Sequence, residues 1–170
     1  MSGTKDPKRQ LQGRISKAKG KQFEHELDTA FEYYSQKGFA CIEKTPEPMR
    51  VVKSLGNGKF VAFFEKKAQP DYKGTLKGGR TVMFEAKYTD AEKMEQSRVN
   101  PDQADYLDKQ QGLGARCYVL AGFGTGGVYC IPWSVWQDMK IIFGRKYVKE
   151  TDLQKYQVQR AWNQLLMILD

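Results

Sequence analysis

The chain has 170 residues and a mass of 19.5 kDa, 40% of them apolar and 28% charged, which supports one hydrophobic core and one domain. Its apolar runs reach only about half a dozen residues, far short of the ~20 that a membrane helix needs, and residues 1–20 carry no secretory apolar core, so a soluble, cytoplasmic protein is expected. The net charge is +8; three cysteines without a Cys-x-x-Cys pair and a single histidine, His25, argue against a disulfide framework, a structural zinc site or a histidine-based triad.

Residues 1–20 read as a basic, flexible arm preceding a single domain over residues 21–170. Up to residue 21, Lys5, Lys8, Arg9, Arg14, Lys17, Lys19 and Lys21 stand against Asp6 alone. Cations concentrated in this way suit a polyanion, because each neutralised phosphate releases condensed counterions. A membrane-binding arm would interleave aromatics, and this one has none. The bland alternative is a solvated tail. On the nucleic-acid reading, Arg14, Lys17, Lys19 and Lys21 contact phosphates.

Phe23, Leu27, Ala30, Phe31 and Tyr34 fall at helical spacing, which predicts a first helix over 21–37 ended by Gly38. His25 then sits incidentally on its flank. Strands are predicted over 39–44 and 49–53, separated by Thr45-Pro46-Glu47-Pro48. A tight Gly-Asn-Gly turn leads to a further strand over 59–65, forming a basic-tipped hairpin. Residues 80–87 alternate, with Met83, Glu85 and Lys87 on one face and Val82, Phe84 and Ala86 on the other. Asn100 and Pro101 are a cap and a first helical residue for a helix running to Gly112. Strands over 116–121 and 127–131 follow, then helices over 132–143 and 151–169. The order argues for a mixed α/β sheet covered by helices. Cys41, Cys117 and Cys130 read as reduced, buried packing residues.

The chemistry concentrates in Pro70-Asp71-Tyr72-Lys73-Gly74 and Phe84-Glu85-Ala86-Lys87. Two-residue spacing puts Glu85 and Lys87 on one face of a strand. If Asp71 enters from the neighbouring end of the sheet, its carboxylate and that of Glu85 converge on a hard cation such as Mg²⁺, which prefers oxygen and is often held by one or two carboxylates plus water and phosphate. Lys87 beside that ion would hold the attacking water and offset charge developing on a phosphate. The pattern acid-x-Lys recurs at Asp6, Glu65 and Asp138, and the competing reading of Glu85 with Lys87 is a solvent-facing ion pair. Only the Glu85 copy combines an alternating strand, a preceding glycine turn and an upstream acid. Glu24 on the first helix and Gln103 in the first turn of the later one are supplements. Asp28 reads as a helix-surface charge, and Gln103 either bonds a water or phosphate or faces solvent.

In this order, Gly20-x-x-Phe23-Glu24, Lys44-x-Pro46-x-Pro48, Asp71-Tyr72-x-Gly74, Phe84-Glu85-Ala86-Lys87 and Gln103 resemble the motifs of RecU-type Holliday-junction resolvases, over roughly residues 20–140. The resemblance implies a restriction-endonuclease-like core: a mixed β-sheet flanked by helices, with a protruding β-hairpin stalk at about 51–69. It further implies a homodimeric, Mg²⁺-dependent enzyme, with Mn²⁺ substituting and no organic cofactor, that makes paired nicks in four-way DNA junctions. Carried over, Asp71, Glu85 and Glu24 match the metal-binding acids, Lys87 the catalytic lysine and Gln103 the helix glutamine. Lys53, Lys59, Lys66 and Lys67 on the hairpin would contact phosphates, and Phe63 or Phe64 would wedge at unstacked bases unless buried in the core. The stalk is short, and Phe63-Phe64 stands where a Tyr-Phe pair is usual, which suggests a phage or prophage version. Two other readings stay open: a nuclease of linear duplex DNA, and a non-catalytic DNA-binding module of the same fold.

Overall fold

The computed structural model describes residues 7–46, 48–64 and 69–169. Helix α1 spans Pro7–Gln36, starting fourteen residues ahead of the expected Lys21. Pro7 suits a first helical turn, and Lys, Arg, Gln, Leu and Ala, all good helix formers, make up most of the segment behind it and outweigh Gly13 and Gly20. Much of the basic segment is therefore helical, which corrects the sequence reading of that stretch as an arm. Phe23, Leu27, Ala30, Phe31 and Tyr34 form the buried stripe of α1, and Gly38 ends it with φ at 68°.

Five strands form the central sheet: β1 Ala40–Lys44, β4 Tyr72–Leu76, β5 Thr81–Thr89, β7 Arg116–Phe123 and β8 Val128–Pro132, adjacent in the order β1-β4-β5-β7-β8. The β5–β7 pairing is parallel and the other three are antiparallel. One face buries Val82 and Phe84 against α1, where the Phe31 ring lies 5.2 Å from that of Phe84 and 4.9 Å from that of Tyr72. The other face buries Met83, Cys117 and Val119 with Leu107 of α2 (Pro101–Gly112) and Trp133 and Trp136 of α3 (Trp133–Gln137). Each such side chain contributes about 1.5–3 kcal/mol by leaving water, so α1 and α2 are fastened to opposite faces of β5. The expected helix-flanked mixed sheet is present.

Strand β4 was not anticipated, because Tyr72-Lys73-Gly74-Thr75-Leu76 contains a residue that weakens strands. Gly74 is required there by packing: it lies opposite Ile42, and a Cβ would run into the Cys41 carbonyl oxygen and the Ile42 backbone. Strands β2 (Met49–Gly56) and β3 (Lys59–Phe64) form a separate antiparallel hairpin, and every residue of β2 is exposed. Lys53, Lys59 and Phe63 are exposed on it. For Phe64 only the backbone is described, and Lys66 and Lys67 lie outside the described residues. A short strand, β6 (Lys93–Glu95), pairs with β9 (Tyr147–Lys149).

The last two helices expected from periodicity are replaced. Residues 133–143 make two short helices, α3 and α4 (Met139–Phe143), which meet at Asp138. Residues 151–169 form 3₁₀ turns and a small pairing of β10 (Gln159–Arg160) with β11 (Leu166–Met167). The open edge of β8 is the reason: Tyr129 bridges to Gln157, and the Val158 N–H donates to the Val128 carbonyl at 2.8 Å. Unpaired strand-edge groups thus take up backbone that local propensity assigns to a helix. Cys41 is exposed, contrary to expectation, because it points outward on β1. Among the described residues, no helix is long and apolar enough to cross a membrane.

Candidate active site

Antiparallel pairing sets Tyr72 opposite Phe84, so Asp71, the residue before β4, arrives at the level of Glu85. With β4 beginning only at Tyr72, the Ala86 N–H has no strand partner there, and the Asp71 Oδ2 accepts from it at 2.8 Å. The Thr45 N–H donates to the Asp71 carbonyl at 2.8 Å and holds the same residue from the β1 side. Asp71 is thereby held from both neighbouring segments, β5 and the chain after β1.

Glu85 is fully buried, on the α2 side of β5. Its Oε1 accepts from Lys87 Nζ and from Gln103 Nε2, each at 2.5 Å. Gln103 is oriented by a capping box: its N–H donates to Asn100 Oδ1 at 2.9 Å, and its own Oε1 accepts from the Asn100 N–H at 3.2 Å. With that oxygen occupied by the cap, the amide NH₂ is left to face Glu85. Gln103 therefore bonds the carboxylate, an outcome the sequence reading did not include. The ion pair of Glu85 and Lys87 is also no solvent-facing one, since the Lys87 side chain is only 16% exposed.

The second oxygen of Glu85, Oε2, is buried without a protein partner. Burial and then the nearby Asp71 charge push the Glu85 carboxyl up to about 7, with Lys87 acting the other way. Two adjacent carboxylates, one carrying an unsatisfied buried oxygen, form an under-neutralised site that suits a divalent cation. Among the described residues no group of three or more His, Cys, Asp or Glu side chains is gathered for a metal. A hard ion that keeps several waters is the kind two carboxylates hold.

Glu24 lines a cleft of about 490 Å³ together with Lys17, Asp71, Lys87 and Arg98, and the buried Glu85 is not among the lining residues. The Glu24 carboxylate accepts from Lys44 Nζ at 2.5 Å, which raises the Lys44 pKa. The lysine of the Lys-x-Pro-x-Pro motif thus holds the first-helix acid at the cleft wall. Asp28, expected to be a plain surface charge, accepts from the buried Tyr72 hydroxyl at 2.7 Å. Arg14, Lys17 and Lys21 are exposed and spaced to share the α1 face that carries Glu24. Lys19 turns aside, with its Nζ 2.7 Å from Asp90. Arg98 in the cleft wall was missed, because it lies in a short irregular segment with no periodicity to mark it.

The family model for RecU, described as recombination protein U, matches residues 18–169 of this chain. The Holliday junction resolvase RecU of Streptococcus sanguinis is 30% identical over 149 residues, covering 81% of this chain and 72% of that protein. Its counterpart in Bacillus pumilus is 27% identical over 157 residues, covering 86% and 75%. In Streptococcus gordonii the match is 29% over 113 residues, spanning 63% of this chain and only 56% of the relative. Among solved structures, the Holliday junction resolvase Hjc of Archaeoglobus fulgidus superposes with a TM-score of 0.49 at 14% identity, over 81% of this chain and 88% of that one.

Proposed function

This chain belongs to the RecU family, and from that premise we propose that it is an endonuclease that resolves four-way DNA junctions by metal-dependent phosphodiester hydrolysis. The observation that supports this reading best is the meeting of Asp71, Glu85, Lys87 and Gln103, with one Glu85 oxygen buried and unsatisfied.

Asp71 and Glu85 would hold the ion, Mg²⁺ or in its place Mn²⁺, with Glu24 near enough on the cleft wall to take part through water. Such an ion, when bound, polarises a phosphoryl oxygen and lowers the pKa of its water. Lys87 keeps its ammonium at the cleft through Glu85 Oε1, where it positions a water and offsets negative charge developing on the phosphate. Gln103 donates to the same Glu85 oxygen as Lys87, which fixes the carboxylate and leaves Oε2 free. Lys17 at the cleft, with Arg14 and Lys21 on the same face of α1, extends positive charge along the helix, a track for phosphates. The exposed hairpin, with Lys53, Lys59 and Phe63, is the element that would enter the junction centre.

Resolution needs paired cuts in opposed strands, since one nick releases nothing, and a two-fold homodimer supplies two sites in that relation. The setting is the cytoplasm, on the DNA of the cell. A cleavage gel with a labelled synthetic junction and a linear duplex side by side, with Mg²⁺ and with EDTA, tests the proposal. Paired junction nicks that need Mg²⁺ and vanish in Asp71→Asn are expected. Equal cutting of the duplex, or cutting untouched by that substitution, would refute it.

A further inference from the structure

Beyond the residues assigned above, the charges around the cleft divide into those already neutralised and those left over. Lys87 is paired with Glu85, Lys44 with Glu24, and Lys19 with Asp90. Among the described residues, neither Lys17 nor Arg98, both lining the cleft, has a carboxylate within ion-pair distance. Lys17 is an exposed side chain on a helix. Arg98 is exposed as well, but the backbone on either side of it is held in place.

It ends the 3₁₀ turn Gln96–Arg98. Gln96 Nε2 donates to the carbonyls of Trp136 and Gln137 at 2.8 and 2.7 Å, and Trp136 Nε1 returns a bond to the Gln96 carbonyl at 3.2 Å. Val99, the next residue, is buried, and Asn100 is the cap that orients Gln103. Arg98 itself spends one donor, from Nη2, on the Tyr88 carbonyl at 2.8 Å, at the end of the strand that carries Lys87. A guanidinium has five N–H donors in a planar fork. The rest of the fork is left in the cleft wall, with its backbone and one nitrogen held in place before any ligand arrives.

We propose that Arg98 is a phosphate-binding residue, clamping a backbone phosphate of the DNA strand that lies in the cleft beside Lys87. The inference rests on the nuclease reading and adds to it a contact that positions the strand. A preorganised, uncompensated guanidinium suits a phosphate better than a free lysine does, because less side-chain freedom is lost per bond formed.

The test is binding of the full chain to a labelled four-way junction in EDTA, measured by fluorescence anisotropy between 50 and 200 mM salt. Arg98→Ala and Arg98→Gln should weaken binding about tenfold and make the dependence of log K on log salt shallower by about one per protomer engaged. Arg98→Lys should keep the wild-type slope. Unchanged affinity and slope in Arg98→Ala, while the wild type binds, would overturn the assignment alone. So would full recovery in Arg98→Gln, which keeps a donor for the Tyr88 carbonyl without the charge and would make Arg98 a structural staple. A wild-type protein that binds neither junction nor duplex would overturn the nuclease reading, and this inference with it.

Discussion

Replacing Asp71 by Asn should stabilise the metal-free protein, and should do so at pH 8 but not at pH 5. The Glu85 carboxyl rises from its ordinary 4.5 to about 7 in the folded state. Between those values the native state holds a proton that the unfolded chain has released, so stability falls as pH rises through the window and the penalty is complete above it. At about 1.4 kcal/mol per pH unit the penalty reaches about 3 kcal/mol. Burial is its first cause and Asp71 its second, so removing the Asp71 charge should recover a minority share, about 1 kcal/mol. At pH 5 a protonated Glu85 has no repulsion to relieve, and the difference should disappear. The Asn oxygen still accepts from the Ala86 N–H, so the β4–β5 junction is not the variable. Urea unfolding in EDTA at both pH values, at equal protomer concentration, measures this directly. A further scan with millimolar Mg²⁺ should raise the wild-type transition and leave Asp71→Asn where it was. A variant less stable by more than 1 kcal/mol at pH 8, or a gain of equal size at both pH values, would refute the reasoning and make Asp71 a structural residue.

Gln103→Ala should cost about 1–2 kcal/mol in chemical denaturation, because it removes half of a capping box and one of two donors to a buried carboxylate. With that donor gone the Glu85 pKa should rise further, moving the acid limb of the pH–cleavage profile upward. Gly74→Ala should lower stability by at least ~2 kcal/mol, read from the thermal melt, since a Cβ collides with the backbone of β1 rather than with a movable side chain. Glu24→Gln should change stability by less than about 1 kcal/mol, because its pair with Lys44 is 43–49% exposed, yet it should slow cleavage if the acid takes part through water. Phe63→Ser, on a side chain 65% exposed, should leave the melting curve unchanged within about 0.5 kcal/mol and weaken junction binding in a competition assay against linear duplex.

Features governed by one element's own repeat were legible before any coordinates. Alternation along residues 80–87 placed Glu85 and Lys87 on one face, and they lie so on β5. Asn100, Pro101 and the period behind them marked α2, which begins at Pro101 with Asn100 as its cap. The same logic failed at both ends of the chain: α1 reaches back to Pro7, where Leu11 and Ile15 are exposed and no buried stripe announces the helix, and residues 151–169 follow the edge of β8 rather than their own spacing.

What periodicity determines is the direction a side chain takes from its own helix or strand, because that direction repeats every 3.6 or 2 residues whatever lies nearby. What it leaves undetermined is which elements meet. Asp71 reaches Glu85 only because β4 pairs with β5 in one register, Gln103 reaches it only because α2 crosses that face, and Arg98 is held at the cleft by the Tyr88 carbonyl near the end of β5. Those meetings are decided by close approach at Gly74, by strand register and by buried polar groups that must find partners. All of these are long-range consequences of packing, present in no local stretch of the chain.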